Sequence, residues 1–266
     1  MDNFSFAFVL AGFVVGLIVG LTGVGGGSLM TPLLIFGFGI KPALAVGTDL
    51  LFAAGTKFGG LLNFARQRVI PWRVVFSLSL GSVPAAVVTL ALLHHFGTSN
   101  PSVQHAITFM LGIALLLTAA ATLYKAIRGP LRQQTADSDE HQLAADLATH
   151  AWMPVVFGAL IGVLVTLTSV GAGAIGVTAL MLLYPQLPLP RIVAADIAYA
   201  VPLTLVAGLG HASLGTVDWS LLGMLLIGSL PGIWLGSQMV TKVPERFIRS
   251  ALSVLLAWAG GKLILI

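Results

Sequence analysis

The sequence predicts an all-α polytopic membrane protein, built from two homologous repeats with roughly eight to ten membrane segments. Hydrophobic residues make up 57% of its 266 residues and charged residues only 8%, whereas soluble domains carry about 25% charged residues. The apolar residues form long runs separated by short polar loops, and motifs of the first half return in the second. We therefore expect a multi-pass protein of the cell membrane, of the bacterial inner-membrane type, surrounded by lipid.

The first half, residues 1–126, contains five apolar runs. Asp2 is the only charge before the first run, so we expect this run to belong to the fold and not to be a signal peptide. A glycine break at 23–27 separates the first run from a short second one. The runs are Phe4–Leu21, Ser28–Gly39, Ala43–Phe64, Trp72–Leu93 and Val103–Tyr124.

A polar stretch, residues 127–150, is the predicted cytoplasmic linker. The second half, residues 151–266, then follows the order of the first, with its own break at 169–173. Its runs are Trp152–Leu167, Ala174–Tyr184, Ile192–Leu209, Trp219–Val240 and Ala251–Ile266.

The two halves match in register. Residues 21–27 read LTGVGGG and residues 167–173 read LTSVGAG, with fewer glycines in the second break. Further along, Asp49 aligns with Asp196, and 81–84 (GSVP) aligns with 228–231 (GSLP). This agreement indicates an internal duplication, which is common in transporters.

Basic residues suggest the orientation, because Lys and Arg concentrate in cytoplasmic loops. If all five runs of each half cross, inverted repeats place nearly all basic residues inside: Arg66, Arg68, Arg73, Lys125, Arg128, Arg132, Arg191, Lys242, Arg246 and Arg249. Only Lys41 and Lys262 then lie outside, as do both termini. The alternative is four crossings per half, which gives parallel repeats. The two short runs cover about 18 Å as helices, too little for the hydrocarbon core, so they are half-helices or re-entrant segments.

The glycine breaks are the candidate substrate site. Backbone N–H groups without helical partners are tolerated at membrane depth only where they line a cavity or meet a ligand. A helix that starts there directs its positive dipole end at the site, which suits a small anion. The alternative is that the glycines only permit close helix packing. The predicted substrate-binding residues around the breaks are Thr22, Gly25, Gly26, Gly27 and Ser28 in the first half, and Thr168, Gly171, Gly173 and Ala174 in the second.

Three ionisable residues lie inside apolar runs, where charges are costly and usually functional. Asp49 and Asp196 are repeat equivalents and are the candidates for proton coupling. Lys57 follows Asp49 by about two helical turns, roughly 12 Å along the helix, and is a candidate cation for an anionic substrate. The structural alternative is that each aspartate caps a helix or pairs locally, for example Asp49 with Lys57.

Several other functions are disfavoured. The chain has no cysteine, so thiolate metal sites and nucleophiles are excluded. It carries no zinc-protease, nucleophile-elbow or P-loop signature. His211 and Asp218 alone do not make a metal site. The net charge of +4 fits cytoplasmic loops and does not require nucleic acid. We therefore predict no enzyme, cofactor, metal or nucleic-acid partner, and the sequence leaves a homo-oligomer open.

At these residues the sequence resembles the sulfite exporter TauE/SafE family of permeases. The matching pieces are 23–32 (GVGGGSLMTP), 45–49 (AVGTD) and 215–219 (GTVDW). The resemblance covers nearly the whole chain except the linker. It implies export or uptake of small sulfur-containing or organic anions, such as sulfite, thiosulfate or sulfoacetate, with proton coupling as an expectation. The rival hypotheses are a passive anion channel and a membrane assembly partner that transports nothing.

Overall fold

The structure is a computed structural model that describes residues 2–22, 27–128, 152–239 and 245–265. All its described elements are helices, and no strand occurs within these ranges. The helices are α1 (Asp2–Thr22), α2 (Gly27–Phe38), α3 (Pro42–Arg66), α4 (Trp72–Phe96), α5 (Pro101–Arg128), α6 (Trp152–Thr168), α7 (Ala174–Leu183), α8 (Leu189–Ser213), α9 (Trp219–Met239) and α10 (Glu245–Ile264).

The structure confirms the all-helical fold of a multi-pass membrane protein. Within the described ranges, α4, α5, α8 and α9 contain segments long and apolar enough to cross a bilayer. Large apolar side chains such as Leu80, Ile227 and Val254 are more than half exposed on the outer surface, as contact with lipid requires. In α8, 67% of the apolar window is buried, against 39% in α4, so α8 occupies the centre of the molecule.

Glycines and prolines in the sequence mark the bounds of the two short helices. α2 has 12 residues and ends at Phe38. The next residue, Gly39, has a φ of 66°, which suits a residue without a Cβ atom. α7 has 10 residues and begins directly after Gly173, at a φ of 131°. The helices that follow, α3 and α8, each begin with a proline at one of their first two positions, where the missing N–H costs nothing.

Two helix pairs pack backbone to backbone through glycines. In the pair α1–α9, a Cβ atom on Gly12 would lie 2.4 Å from the carbonyl oxygen of Leu225. In the pair α4–α6, a Cβ atom on Gly158 would lie 2.3 Å from the carbonyl oxygen of Leu78. The next contacts along the two pairs are Gly16 with Ser229, and Gly162 with Ser82. Residue numbers rise together on both partners, so each pair is parallel.

The equivalent helices of the two halves are antiparallel. Where α3 meets α8, Gly47 contacts His211, and Leu51 contacts Gly208. Residue numbers rise on one helix and fall on the other. At the α5–α10 contact, Gly112 meets Ile264 while Leu115 meets Gly260, again with opposite directions. Equivalent helices of parallel repeats would point the same way, so these contacts favour the inverted arrangement over the parallel one.

The three-part division of the chain stays a prediction. In the described residues, each half has five helices, and the second of them is the short one. Most of the predicted linker, residues 129–150, lies outside the described residues. So do Gly25 and Gly26 of the first glycine break, and Lys242 of the last predicted cytoplasmic loop.

Candidate functional site

Asp49 lies in α3 with its carboxyl group fully buried. The hydroxyl of Thr31, in the second turn of α2, donates a short hydrogen bond to Asp49 Oδ2. The Ser169 hydroxyl, in the second glycine break, also lies beside this carboxyl group. Within the described residues, neither Asp49 Oδ1 nor Ser169 Oγ has a hydrogen-bond partner that meets normal geometry. Asp49 therefore links the short helix of its own half to the break of the other.

Asp196 lies in α8 at the N-terminus of the other short helix. The backbone N–H of Gly173 donates to Asp196 Oδ1 at 3.3 Å. The carboxyl group also faces the hydroxyl of Tyr199, one helical turn further along α8. Both groups pack against Gly176. A Cβ atom there would lie 2.1 Å from Asp196 Oδ1 and 2.5 Å from the Tyr199 oxygen. A side chain at position 176 would therefore push the carboxyl group away from α7.

Lys57 places its ammonium group at the second glycine break, beside the two aspartates. Its side chain, only 9% exposed, extends from α3 and donates from Nζ to the carbonyl oxygen of Ala172 at 3.0 Å. The ammonium group interacts electrostatically with both carboxyl groups, more strongly with Asp196 than with Asp49. These interactions lower the cost of burying the charge, which is very high for an isolated charge in a low-dielectric interior.

The second break is an irregular turn held by its own side chains. Ser169, Gly171 and Gly173 have φ values of 58°, 132° and 131°, which favour glycine and strain a serine. The Thr168 hydroxyl donates to the carbonyl oxygen of Leu164 at 2.6 Å and accepts the N–H of Val170 at 3.1 Å. Its oxygen therefore supports the break.

The structure brings together part of the predicted site. Lys57, Asp49 and Asp196 meet at the second break, alongside Gly171, Gly173 and the first residue of α7, Ala174. Ser28 is buried at the start of α2. The remaining predicted residues are at the end of α1 (Thr22), at the first position of α2 (Gly27), and outside the described residues (Gly25 and Gly26).

Sequence reasoning missed three side chains, those of Thr31, Ser169 and Tyr199, and the role of the Ala172 carbonyl. Tyr199 follows Asp196 by three residues on one helix, a spacing that places two side chains on the same face, so this neighbour was available from the sequence. The carbonyl of Ala172 was not, since a backbone acceptor carries no residue-type signal. Ser169 stands in the break itself, at the position where the first half has Gly23.

A separate buried network surrounds His211. Its Nε2 lies 3.0 Å from the carbonyl oxygen of Thr166, and its Nδ1 lies 2.8 Å from the hydroxyl of Thr216. A carbonyl oxygen can only accept, so Nε2 carries a proton. These contacts tie α8 to α6 and to the loop before α9. They give His211 a structural position away from the Lys57 ammonium group.

Comparisons with known proteins agree with this architecture. The family model described as "Sulfite exporter TauE/SafE" matches residues 8–263. The chain is similar to "Probable membrane transporter protein YjnA" of Bacillus subtilis, with 35% identity over 98% of this chain and 100% of the relative. It is also similar to "Probable membrane transporter protein YunE" of the same organism, with 25% identity over 96% of both chains.

No solved structure matches the chain. The family model and the first of these relatives each cover almost the full length, including both short helices and the buried charged residues. By this evidence the chain belongs to the sulfite exporter TauE/SafE family of membrane transporters.

Proposed function

We propose that the protein is a secondary transporter that moves a small anion across the membrane, with its substrate site at the second glycine break beside Lys57. The observation that carries this proposal is the buried ammonium group of Lys57 on the carbonyl of Ala172. An ionised side chain within a membrane bundle usually marks a substrate or ion pathway, and no enzymatic motif in the sequence offers another use for it.

The N-terminus of α7 supports an anionic substrate. Helix N-termini bind anions through free N–H groups and the positive end of the helix dipole. Here the position is occupied by a carboxylate of the protein itself, since the N–H of Gly173 donates to Asp196. A site that accommodates a carboxylate next to an ammonium group has the chemistry for a sulfonate, a sulfite-like oxyanion or a small carboxylate.

Energy for transport has to come from a gradient, because the sequence contains no P-loop to bind ATP. The two buried aspartates are the groups that could carry protons, and proton-coupled transporters use buried carboxyl groups for this purpose. The finer parts of the proposal are therefore an anion of the sulfite, thiosulfate or organosulfonate class, and coupling to protons through Asp49 and Asp196.

The experiment is uptake of labelled anions by purified protein in proteoliposomes. The panel is sulfite, thiosulfate, sulfoacetate, sulfate and acetate, each measured with and without a pH gradient. We expect saturable uptake of one group of these anions, and uptake about 100-fold lower by a Lys57→Met variant that reconstitutes normally. Uptake that does not saturate, with currents too large for alternating access, would instead identify a passive channel. Absence of uptake for the whole panel by correctly inserted protein would contradict the proposal.

A further inference from the structure

We propose that the substrate anion replaces the aspartate carboxylates at Lys57 and at the N-terminus of α7, so that each anion enters the site together with at least one proton. This inference rests on the proposed function, since it describes how the same site would admit its substrate. The anion and the proton then cross the membrane in the same direction, as in a symporter, and are not exchanged.

The charge of the site favours entry of the anion together with a proton. Asp49, Asp196 and Lys57 together carry two negative charges and one positive charge when all three are ionised. A second anion brought to this buried group would raise the negative excess in a region where unpaired charge is very costly. Protonation of one carboxylate restores the balance for an anion with one charge, and protonation of both restores it for an anion with two.

The hydrogen-bond donors that a substrate anion needs are already bonded to groups of the protein. The N–H of Gly173 is bonded to Asp196, and the hydroxyl of Thr31 is bonded to Asp49. The Lys57 ammonium group donates to the carbonyl oxygen of Ala172 and interacts electrostatically with both carboxyl groups. A protonated carboxyl group loses its charge and accepts hydrogen bonds less strongly. Proton uptake by an aspartate therefore releases the donors that the substrate requires.

The structure also offers a place for a proton. Asp49 Oδ1 is buried without a hydrogen-bond partner in the described part of the chain, and so is the neighbouring Ser169 Oγ. The Ser169 hydroxyl can donate to Asp49 Oδ1 when the carboxyl group is ionised, and a protonated Oδ1 can donate to Ser169 Oγ in the other state. Buried polar atoms left unpaired are uncommon in folded proteins. The pair therefore accommodates the Asp49 carboxyl group in both protonation states, including the one that holds a proton arriving with the substrate.

Other titratable groups do not provide an alternative within the described residues. α2, α6, α7 and α9, which pack around α3 and α8, contain no ionisable side chain in their described lengths. Arg73, His94 and His95 of α4, and His105, Tyr124, Lys125 and Arg128 of α5, stand near the ends of their helices. Asp218, just before α9, donates its backbone N–H to the Thr48 hydroxyl, and its Oδ1 accepts the N–H of Leu221. Tyr199 faces Asp196, and His211 is bonded to Thr166 and Thr216. Asp49 and Asp196 are thus the carboxyl groups that share Lys57.

The test counts protons taken up when an anion binds. Purified full-length protein is titrated with thiosulfate or sulfoacetate in a calorimeter, in buffers of different ionisation enthalpy. We expect the wild type to take up at least one proton per bound anion. Its affinity should fall about tenfold per pH unit for each linked proton as the pH rises. Asp49→Asn and Asp196→Asn should each take up fewer protons, and the double variant should bind with no uptake and no dependence on pH.

Each outcome separates the two proposals. If the wild type binds an anion with no proton uptake, the coupling inference is wrong while the proposed anion site stands. Uptake that persists undiminished in Asp49→Asn and in Asp196→Asn, each checked for normal folding by gel filtration, would also overturn it. If neither probe binds the wild type at any pH, while the transport panel shows uptake of no anion, the proposed function itself fails.

Discussion

The ammonium nitrogen of Lys57 lies 3.0 Å from the carbonyl oxygen of Ala172, although 115 residues separate the two in the sequence. The contact joins α3 of the first half to the glycine break of the second. The equivalent of Lys57 in the second half is Thr204, whose hydroxyl bonds to the carbonyl of Ala200 within its own helix. The charged contact therefore exists at one of the two breaks, and the two halves contribute unequally to the candidate site.

Replacement of Lys57 tests the need for a positive charge. Lys57→Met should lower anion uptake by about 100-fold, since the loss of a buried charge contact typically costs roughly 3 kcal/mol. Lys57→Arg keeps the charge and should retain part of the uptake, although the larger guanidinium group fits the space poorly. Uptake by proteoliposomes containing equal amounts of inserted protein measures both. Full activity of Lys57→Met would remove this residue from the site.

The two aspartates are expected to set the pH dependence of transport. If the carboxyl groups must gain protons before the anion enters, the uptake rate of the wild type falls as the pH on the substrate side rises. Asparagine resembles the protonated acid, so Asp49→Asn and Asp196→Asn should each flatten the profile of initial rate against pH. Two variants with the wild-type profile would show that the coupling protons bind elsewhere.

Gly176 tests the position of Asp196 against α7. A methyl group at this residue would overlap Asp196 Oδ1 and the Tyr199 hydroxyl, so Gly176→Ala should displace the carboxyl group from the N–H of Gly173. We expect a loss of uptake of at least tenfold, because a small displacement of a group in a preorganised site has a large effect on rate. Gly223→Ala is the matched control, because a Cβ atom there would meet nothing within 4 Å. Equal uptake by the two variants would contradict this role of Gly176.

The glycine contacts between helices predict the positions at which the fold tolerates a larger side chain least. Gly228→Ala and Gly81→Ala each place a methyl group 1.9 Å from a carbonyl oxygen, that of Val9 or Val155. Overpacking of this kind costs about 1–3 kcal/mol, so both variants should melt at a lower temperature in detergent. Gly261→Ala, which meets nothing within 4 Å, is the control. Melting temperatures unchanged in the first two variants would be incompatible with these helix contacts.

The inverted arrangement predicts which loops share a side of the membrane. The chain contains no cysteine, so single cysteines can be introduced and labelled with a membrane-impermeant maleimide. Cysteines replacing Arg68 and Arg191 should react from the cytoplasmic side. Cysteines replacing Asn100 and Ser213 should react from the opposite side. With parallel repeats, position 213 would fall on the same side as position 68, and its labelling would decide between the two.

Much of the fold could be predicted because it depends on apolar run length and on glycine and proline. The bounds of α2 and α7 follow from the glycine breaks and from the prolines that begin α3 and α8, and these signals are local. The site was harder to predict. The sequence gives the charged residues in the apolar runs, but their meeting at the second break depends on the antiparallel contact of α3 with α8. Backbone partners such as the carbonyl of Ala172 have no signature in the sequence at all.

Concentrative uptake under a pH gradient tests the central claim most directly. Proteoliposomes with an alkaline interior, in a medium containing labelled thiosulfate or sulfoacetate, should accumulate the anion above its external concentration when they contain the wild type. Collapse of the gradient with a protonophore should abolish the accumulation, and the Asp49→Asn, Asp196→Asn double variant should only equilibrate the anion. Accumulation by the wild type that is insensitive to the pH gradient, or accumulation by the double variant equal to that of the wild type, would contradict proton-coupled anion transport at Lys57.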